Sequence, residues 1–203
     1  MYIITGCSSG LGFELVKQLL AEGKEVLGIS RSLSKAEAFS SNNNFQHFCI
    51  DLSGDFSIKN LLNKIDLSNQ EIYLILNAAQ FANEEVRCLE VPDAKAMFEV
   101  NYFSTIKLIN EFKKYKLKRV MFINSIAGIV SQGGQLQYSA SKHALQAYSE
   151  TLAKQSKNLD FDVMSINPGG IDSELWDNVD LLSKTITNNF INPEVLADLL
   201  YKF

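Results

Sequence analysis

The chain has 203 residues, 46% of them hydrophobic, which predicts one globular domain with a sizeable core. Its formal net charge is −4, from 19 basic and 23 acidic residues, and this balance disfavours a nucleic-acid-binding surface. Two histidines and three cysteines without metal-ligand spacing disfavour a zinc site or a disulfide framework. No signal peptide precedes the first apolar run, and no apolar stretch approaches membrane-spanning length. We therefore expect a cytoplasmic protein with no membrane or nucleic-acid partner.

Short apolar runs alternate with longer amphipathic segments along the chain. The predicted strands are Tyr2–Thr5, Glu25–Ser30, Phe45–Ile50, Ile72–Leu76, Val120–Ile123 and Asp162–Ile166. The predicted helices are Leu11–Glu22, Ile58–Ile65, Ala94–Tyr115, Gln137–Lys157 and Pro193–Tyr201. Continuous apolar strands between helices favour a parallel sheet that is buried on both faces. Since crossovers between parallel strands are right-handed, the predicted fold class is α/β, a doubly wound parallel sheet of the Rossmann type in a single domain.

A glycine-rich loop joins the first predicted strand to the first predicted helix. Its glycines are Gly6, Gly10 and Gly12, in the spacing G-x-x-x-G-x-G. Backbone N–H groups and the positive end of a helix receive a pyrophosphate at this position in dinucleotide-binding folds. Gly6 would permit a tight turn, Gly10 would let the backbone approach phosphate, and Gly12 would let helix and strand pack closely. The same glycines would also suit an ordinary turn.

The second predicted strand ends in Ser30-Arg31-Ser32 and offers no carboxylate. Dinucleotide sites place an acidic residue near this point for the ribose 2′-hydroxyl of NAD, or an arginine for the 2′-phosphate of NADP. A guanidinium suits phosphate geometry, so Arg31 favours NADP(H) over NAD(H). The alternative is a solvated arginine at the end of a strand.

Tyr138 and Lys142 lie four residues apart on the predicted helix Gln137–Lys157, so they share one face of it. A nearby cation favours the phenolate, and we therefore expect Lys142 to lower the Tyr138 pKa from about 10. Such a tyrosine could act as a general acid or base near neutral pH. The same spacing is common on ordinary amphipathic helices, and the pair gains weight from Ser125 upstream and from the glycine loop.

In their order along the chain, these motifs resemble those of the short-chain dehydrogenase/reductase family. The loop Thr5–Gly12 resembles the family's TGxxxGxG motif, and Asn77-Ala78-Ala79 resembles its N-A-G motif. The resemblance implies a catalytic tetrad of Asn101, Ser125, Tyr138 and Lys142. It implies a cofactor site formed by Gly6, Ser8, Ser9, Gly10, Leu11, Gly12, Arg31, Asp51, Leu52, Asn77, Ala78, Ala79, Tyr138, Lys142, Pro168, Gly169, Ile171 and Ser173. It implies no metal.

The activity implied by the resemblance is NADP(H)-dependent transfer of hydride between nicotinamide and a carbonyl or secondary alcohol substrate. Tyr138 would be the general acid or base, and Ser125 would hydrogen-bond the substrate oxygen. Lys142 would bind the nicotinamide ribose, and Asn101 would hold a water that links Lys142 to solvent. Local alternatives stay open, because Asn101 could cap a helix irregularity, and Ser125 and Asp51 could be turn residues.

Three residues depart from the family pattern. Ala79 stands where glycine is usual, and Ser173 stands where a threonine is usual but keeps the hydroxyl. Ser9 stands where many NADP-preferring members carry a basic residue, so the NADP prediction depends mainly on Arg31.

The chain ends at Phe203, where family members normally continue into a seventh strand. If Phe203 is the natural end, we expect six strands and a homodimer through the helices that carry Asn101 and Tyr138, with C2 symmetry. A substrate loop is expected over residues 171–182, bordered by residues 132–135, and its acidic residues argue against an anionic substrate. The alternatives are a dinucleotide-binding regulator without turnover and, less favoured, a sugar-nucleotide epimerase.

Overall fold

The computed structural model describes residues 1–58, 62–81, 91–131, 133–155, 159–176 and 190–202. It contains one six-stranded parallel sheet in the order β3-β2-β1-β4-β5-β6. The strands are β1 (Tyr2–Thr5), β2 (Val26–Ser30), β3 (Phe45–Cys49), β4 (Ile72–Leu76), β5 (Leu117–Ile123) and β6 (Asp162–Ile166). The α-helices are α1 (Gly10–Ala21), α2 (Val91–Phe98), α3 (Ser104–Phe112), α4 (Leu136–Gln155) and α5 (Pro193–Leu200). The predicted doubly wound α/β fold with six strands is confirmed.

Helices cover both faces of the sheet and create two hydrophobic cores. One core includes Leu108, Phe112 and Leu145 of α3 and α4, packed against apolar strand residues such as Phe122. The other includes Leu15 and Leu19 of α1, with residues of α5 beside them. The central strands are buried on both sides, which explains why their sequences are continuously apolar rather than alternating.

The helical run before β5 differs from the single helix predicted over Ala94–Tyr115. It consists of α2, a π-helical turn at Glu99–Phe103, and α3. Strand β5 begins at Leu117 rather than Val120, because Leu117 pairs with Ile72 ahead of a register shift in the β4–β5 ladder. For the predicted helix Ile58–Ile65, residues 59–61 lie outside the described residues, and the Leu62 N–H donates to the Ile58 carbonyl oxygen at 2.9 Å.

The chain order of the sheet reverses between β1 and β4, and the carboxyl ends of those two strands open into a crevice. Ligands of open parallel sheets bind at such a switch point. Beyond β6, Ile171 forms a parallel bridge with Ile191, and the Ile191 N–H donates to the Gly170 carbonyl oxygen at 2.8 Å. These bonds join the two ends of the segment between residues 172 and 190 at the edge of the crevice.

Candidate functional site

A cleft of about 1080 Å³ follows the carboxyl edge of the sheet. It collects residues from the ends of all six strands, which the sequence scatters over most of the chain. Among the residues predicted to form the site, only Gly12 and Asn101 do not line it. The predicted residues on its walls are Gly6, Ser8, Ser9, Gly10, Leu11, Arg31, Asp51, Leu52, Asn77, Ala78, Ala79, Ser125, Tyr138, Lys142, Pro168, Gly169, Ile171 and Ser173.

The conformation and close packing of the glycine loop require residues without side chains. Gly6 and Gly10 have φ angles of +67° and +53°, in the left-handed region that glycine tolerates. A Cβ at Gly12 would lie 2.2 Å from the Gly6 carbonyl oxygen, so the first turn of α1 can approach β1 only because Gly12 has no side chain. Ser9 precedes α1, and its side chain makes no capping bond to the helix. The N–H groups of the first turn of α1 therefore begin at the cleft.

Asn77 joins the ends of β1 and β4 below this loop. Its Nδ2 donates to the carbonyl oxygens of Thr5 and Gly6 at 3.0 and 3.1 Å. The Thr5 hydroxyl in turn accepts the backbone N–H groups of Asn77 and Ala78, both at 3.0 Å. These bonds fix the floor of the crevice, so Asn77 holds the loop in place as well as lining the cleft.

Arg31 and Asp51 lie at the far end of the cleft, after β2 and β3. Asp51 Oδ1 accepts the Ser53 backbone N–H at 2.9 Å, and this bond, with help from the Ser53 hydroxyl, lowers the Asp51 pKa. Asp51 is therefore a turn residue that also faces the cleft. The Ser30 hydroxyl lies 2.8 Å from His47 Nε2 and donates to the Ser32 carbonyl oxygen at 2.7 Å, which shapes the backbone on both sides of Arg31.

Tyr138 and Ser125 meet at the opposite end of the cleft. Ser125 follows β5 in an extended conformation and accepts the Ala127 N–H at 3.2 Å, so its side chain is held at the edge of the sheet. Burial raises the Tyr138 pKa, and a hydrogen bond with the Ser125 side chain opposes that rise. The net direction is upward. The prediction that Lys142 lowers the Tyr138 pKa is therefore wrong, because desolvation of the phenol outweighs the effect of the Ser125 hydrogen bond.

Lys142 is 1% exposed and lies one turn after Tyr138 on α4. Its Nζ donates to the Ile123 carbonyl oxygen at 3.2 Å and lies 5.7 Å from the centroid of the Tyr138 ring. Burial lowers the Lys142 pKa to about 8, because a charged ammonium loses its hydration there. A lysine held near its titration point below a tyrosine can exchange a proton at ordinary pH.

Asn101 occupies the π-helical turn and is 1% exposed. Its Oδ1 accepts the Gln80 N–H at 2.7 Å, while its Nδ2 donates to the Gln80 carbonyl oxygen at 2.9 Å and to Ser141 Oγ at 3.0 Å. The Ser141 hydroxyl donates to the Tyr138 carbonyl oxygen at 2.8 Å. The amide thus connects the segment after β4 to the helix that carries Tyr138. The role in holding a water stays a prediction.

The segment after β6 covers the glycine loop. A Cβ at Gly10 would lie 2.9 Å from the Ser173 Cβ, so the two backbones are in close contact. Glu174 forms an ion pair at 2.7 Å with Lys35, which lies in the helical turn that follows β2. Within the predicted substrate loop, residues 177–182 lie outside the described residues, and so does Gln132 beside it.

Residues 1–182 match the sequence profile of the short chain dehydrogenase family. The chain belongs to that family. This short-chain dehydrogenase is similar to a probable short-chain type dehydrogenase/reductase, VdlC of Helicobacter pylori, with 31% identity over 184 residues, 87% of this chain and 66% of that protein. It is 30% identical to the uncharacterized oxidoreductase YbbO of Escherichia coli over 183 residues, 87% of this chain and 68% of that protein. The match thus spans about two thirds of each of these relatives.

Among solved structures, that of 4-hydroxyisoleucine dehydrogenase complexed with NADH is similar to this short-chain dehydrogenase with a TM-score of 0.84. The two sequences are 25% identical, and the similarity covers 98% of this chain and 88% of that one. These relatives are described as a dehydrogenase/reductase, an oxidoreductase and a dehydrogenase complexed with NADH. Both the sequence match and the fold therefore agree with the resemblance read from the motifs.

The cleft of this short-chain dehydrogenase fits a nicotinamide dinucleotide. The backbone N–H groups at the start of α1 can bind a pyrophosphate there. The glycines let the loop pack closely, because a Cβ at Gly6, Gly10 or Gly12 would lie less than 3.0 Å from a neighbouring atom. Within the described residues, no group of three or more histidine, cysteine and carboxylate side chains could hold a metal ion. No helix in the described part of the chain has both the length and the apolar character needed to cross a membrane.

Some residues of the cleft were not foreseen from sequence. Phe81 lies after β4, and its ring meets the Tyr138 ring edge to face, with centroids 4.9 Å apart. Phe190 packs over Gly170, where a Cβ would lie 2.4 Å from its ring. Ala96 and Val100, from the helical run before β5, also line the cleft. No sequence motif includes these positions. The only indication that Phe81 lies near the cleft was its place four residues after Asn77.

Proposed function

We propose that this protein is an NADP(H)-dependent oxidoreductase that interconverts a carbonyl and a secondary alcohol, with Tyr138 as general acid and base. The observation that carries the proposal is the hydrogen bond between the Ser125 and Tyr138 side chains, with the buried Lys142 Nζ 5.7 Å from the centroid of the Tyr138 ring. This group lies at one end of a cleft whose other end holds Arg31. Acid–base residues at one end and a phosphate-binding residue at the other suit a dinucleotide and its substrate.

Burial keeps Tyr138 protonated at neutral pH, which is the form that donates a proton to a carbonyl oxygen. A bound NADPH supplies the hydride that the carbonyl carbon receives. The Ser125 hydroxyl lies beside the phenol and can donate to the same substrate oxygen as negative charge develops there. Lys142, with its pKa lowered to about 8, can resupply a proton or stabilise the phenolate after transfer. Asn101 holds Gln80 and Ser141, and through them the position of Tyr138.

The preference for NADP(H) is supported by the end of β2. Ser30, Arg31 and Ser32 all line the cleft there, and the segment carries no carboxylate that would bind a ribose 2′-hydroxyl. The guanidinium can bind a 2′-phosphate through two parallel N–H groups. The relative solved with NADH makes a direct comparison of the two cofactors the informative experiment.

Replacing Tyr138 by phenylalanine tests the acid–base assignment. We expect Tyr138→Phe to lower kcat for NADPH-dependent ketone reduction by about 100-fold to 10,000-fold, because general acid catalysis contributes that much. NADPH binding, measured by its fluorescence, should be retained. Tyr148→Phe on the same helix is the matched control, since Tyr148 does not line the cleft. Wild-type turnover that survives Tyr138→Phe would overturn the assignment.

Replacing Arg31 by glutamine tests the cofactor preference. We expect Arg31→Gln to reduce kcat/KM for NADPH by about tenfold to 100-fold, since a charge-assisted hydrogen bond contributes about 1.5 to 3 kcal/mol. The value for NADH should hardly change. Arg119→Gln is the control, because Arg119 does not line the cleft and instead forms an ion pair of 3.1 Å with Asp162. Equal losses with both cofactors would contradict a contact with the 2′-phosphate.

A dinucleotide-binding regulator without turnover is the alternative outcome of these measurements. It would be supported if the wild type and Tyr138→Phe bound NADPH equally and neither oxidised it with any carbonyl compound. The buried Tyr138 and Lys142, with Ser125 bonded to Tyr138, favour turnover, because a buried ammonium destabilises the fold and such groups are concentrated at active sites.

The proposed assembly is a homodimer through the helices that carry Asn101 and Tyr138. Phe103 supports it, because this aromatic side chain follows Asn101 in the π-helical turn and is 44% exposed. We expect Phe103→Glu to convert a dimer into a monomer in sedimentation experiments. Leu199→Glu, at an exposed apolar position on α5, should leave the dimer intact. A stable tetramer of the wild type would overturn the proposal.

A further inference from the structure

The surroundings of Tyr138 are apolar on the side that faces the cleft. Phe81 meets the Tyr138 ring edge to face and packs on a small buried cluster formed by Met97, Ala127 and Tyr138. Beside it, the cleft is lined by further apolar side chains, namely Ala96, Val100, Ile126 and Ala127. A substrate whose carbonyl oxygen reaches Tyr138 and Ser125 must place the rest of its carbon skeleton near this wall.

Charged groups are distributed unevenly along the same cleft. Among the described residues that line it, the charged ones are Arg31, Asp51, Lys142 and Glu174. Arg31 and Asp51 follow β2 and β3, at the end opposite Tyr138. Glu174 is paired with Lys35, and Lys142 is almost completely buried on the Ile123 carbonyl oxygen. A carboxylate or phosphate carried next to the reacting carbonyl would therefore lose its hydration beside Phe81 without gaining a free cationic partner among the described residues of the cleft.

The position of Phe81 is fixed by the backbone next to it. Asn101 binds both the N–H and the carbonyl oxygen of Gln80, at 2.7 and 2.9 Å. The same amide reaches Ser141, which binds the Tyr138 carbonyl oxygen. Phe81 and Tyr138 are thus held by one hydrogen-bonded group from two sides. A pre-positioned ring binds a planar apolar substituent at a small cost in conformational entropy.

We propose that the substrate is an uncharged carbonyl compound with an aromatic or bulky apolar group next to the carbonyl, and that Phe81 determines this specificity. The inference rests on the proposed function, since it concerns the same site. For a ketone such as acetophenone, a hydride adds to the carbonyl carbon and a proton from Tyr138 adds to the oxygen, while NADPH is oxidised to NADP⁺. The product is the secondary alcohol.

Three ketones separate the contributions of charge and apolar bulk. Acetophenone, 4-acetylbenzoate and 2-butanone are reduced with NADPH by the wild type, Phe81→Ala and the control Phe161→Ala. Phe161 is a partly buried phenylalanine that packs on the core and does not line the cleft. We expect kcat/KM of the wild type to be at least about tenfold higher for acetophenone than for either other ketone. Phe81→Ala should remove most of that advantage, mainly through KM, by lowering kcat/KM for acetophenone by a larger factor than kcat/KM for 2-butanone.

Two outcomes would overturn the proposal. One is equal or better reduction of 4-acetylbenzoate by the wild type. The other is a loss in Phe81→Ala that is the same for acetophenone and 2-butanone, which would mean that Phe81 only supports the structure around Tyr138.

Ligand-observed NMR of acetophenone with the NADPH-loaded protein supplies a readout that does not need turnover. Binding that is lost in Phe81→Ala, without reduction of any ketone, would support the pocket and overturn the proposed oxidoreductase function. If 2-butanone is reduced but acetophenone is neither bound nor reduced, the oxidoreductase function would be supported and the proposed pocket overturned. Absence of acetophenone binding and of all turnover would overturn the pocket.

Discussion

Replacing Lys142 by methionine separates what this residue costs the fold from what it contributes to the reaction. The ammonium is buried, and its pKa falls from the ordinary 10.5 to about 8. A pKa shift of that size lowers the unfolding free energy by about 3 kcal/mol at any pH where Lys142 is charged in the folded protein. Because the folded pKa lies below the unfolded one, the full cost applies below pH 8 and disappears as the pH rises towards 10.5.

Methionine removes this cost at every pH, but it also removes the hydrogen bond to the Ile123 carbonyl oxygen, worth about 1 kcal/mol. Lys142→Met should therefore be more stable than the wild type by about 2 kcal/mol at pH 6.5. At pH 9.5 the charging cost has fallen to about 1.4 kcal/mol, so the two proteins should be nearly equal in stability. Carbonyl reduction should be lost at both pH values.

Urea unfolding followed by circular dichroism at the two pH values measures this difference. Other groups titrate over the same range, but their contributions cancel between wild type and variant. Stability differences that do not change between pH 6.5 and 9.5 would refute the reasoning, and so would a variant that is less stable at pH 6.5. Either result would mean that Lys142 is hydrated or already neutral in the folded protein.

Two further substitutions test the positions that hold the site together. Gly12→Ala should abolish NADPH binding and lower the unfolding free energy by about 1 to 3 kcal/mol, because its Cβ would lie 2.2 Å from the Gly6 carbonyl oxygen. The control Gly54→Ala should change neither property, since a Cβ there would have no atom within 4 Å, and a fully functional Gly12→Ala would argue against the close packing of α1 on β1. Asn101→Ala removes the hydrogen-bond partner of both backbone groups of Gln80 and should lower the unfolding free energy, measured with urea, by about 2 kcal/mol. It should also lower kcat with little change in NADPH affinity. An unchanged kcat would exclude a positioning role.

The sheet was predictable because its chemistry is local. Runs such as Ile72–Leu76 are apolar throughout, which parallel strands covered on both faces require. The glycine loop could also be predicted from the sequence, because the left-handed φ angles at Gly6 and Gly10 favour glycine over other residues. Tyr138 and Lys142 were identified from helical spacing and their order relative to the other motifs.

What escaped prediction depends on burial and on contacts between distant segments. The spacing of Tyr138 and Lys142 gave no indication of how deeply either group is buried, and burial sets the direction of both pKa changes. The π-helical turn at Glu99–Phe103 was not predicted, since the residues before β5 were predicted to form one continuous helix. Phe81 contacts Tyr138 only because the fold brings the end of β4 beside α4.

The π-helical turn also makes the site depend on the number of residues in the helical run between Val91 and Phe112. A wider turn contains one residue more than an α-helical turn, and each residue rotates an α-helix by about 100°. Deleting any single residue of this turn would straighten the run and rotate everything before it relative to α3. Asn101, or whichever residue took its place, would then face away from Gln80. Alignment gaps or insertions in this run of a relative would therefore signal a disassembled site even where all four tetrad residues are identical.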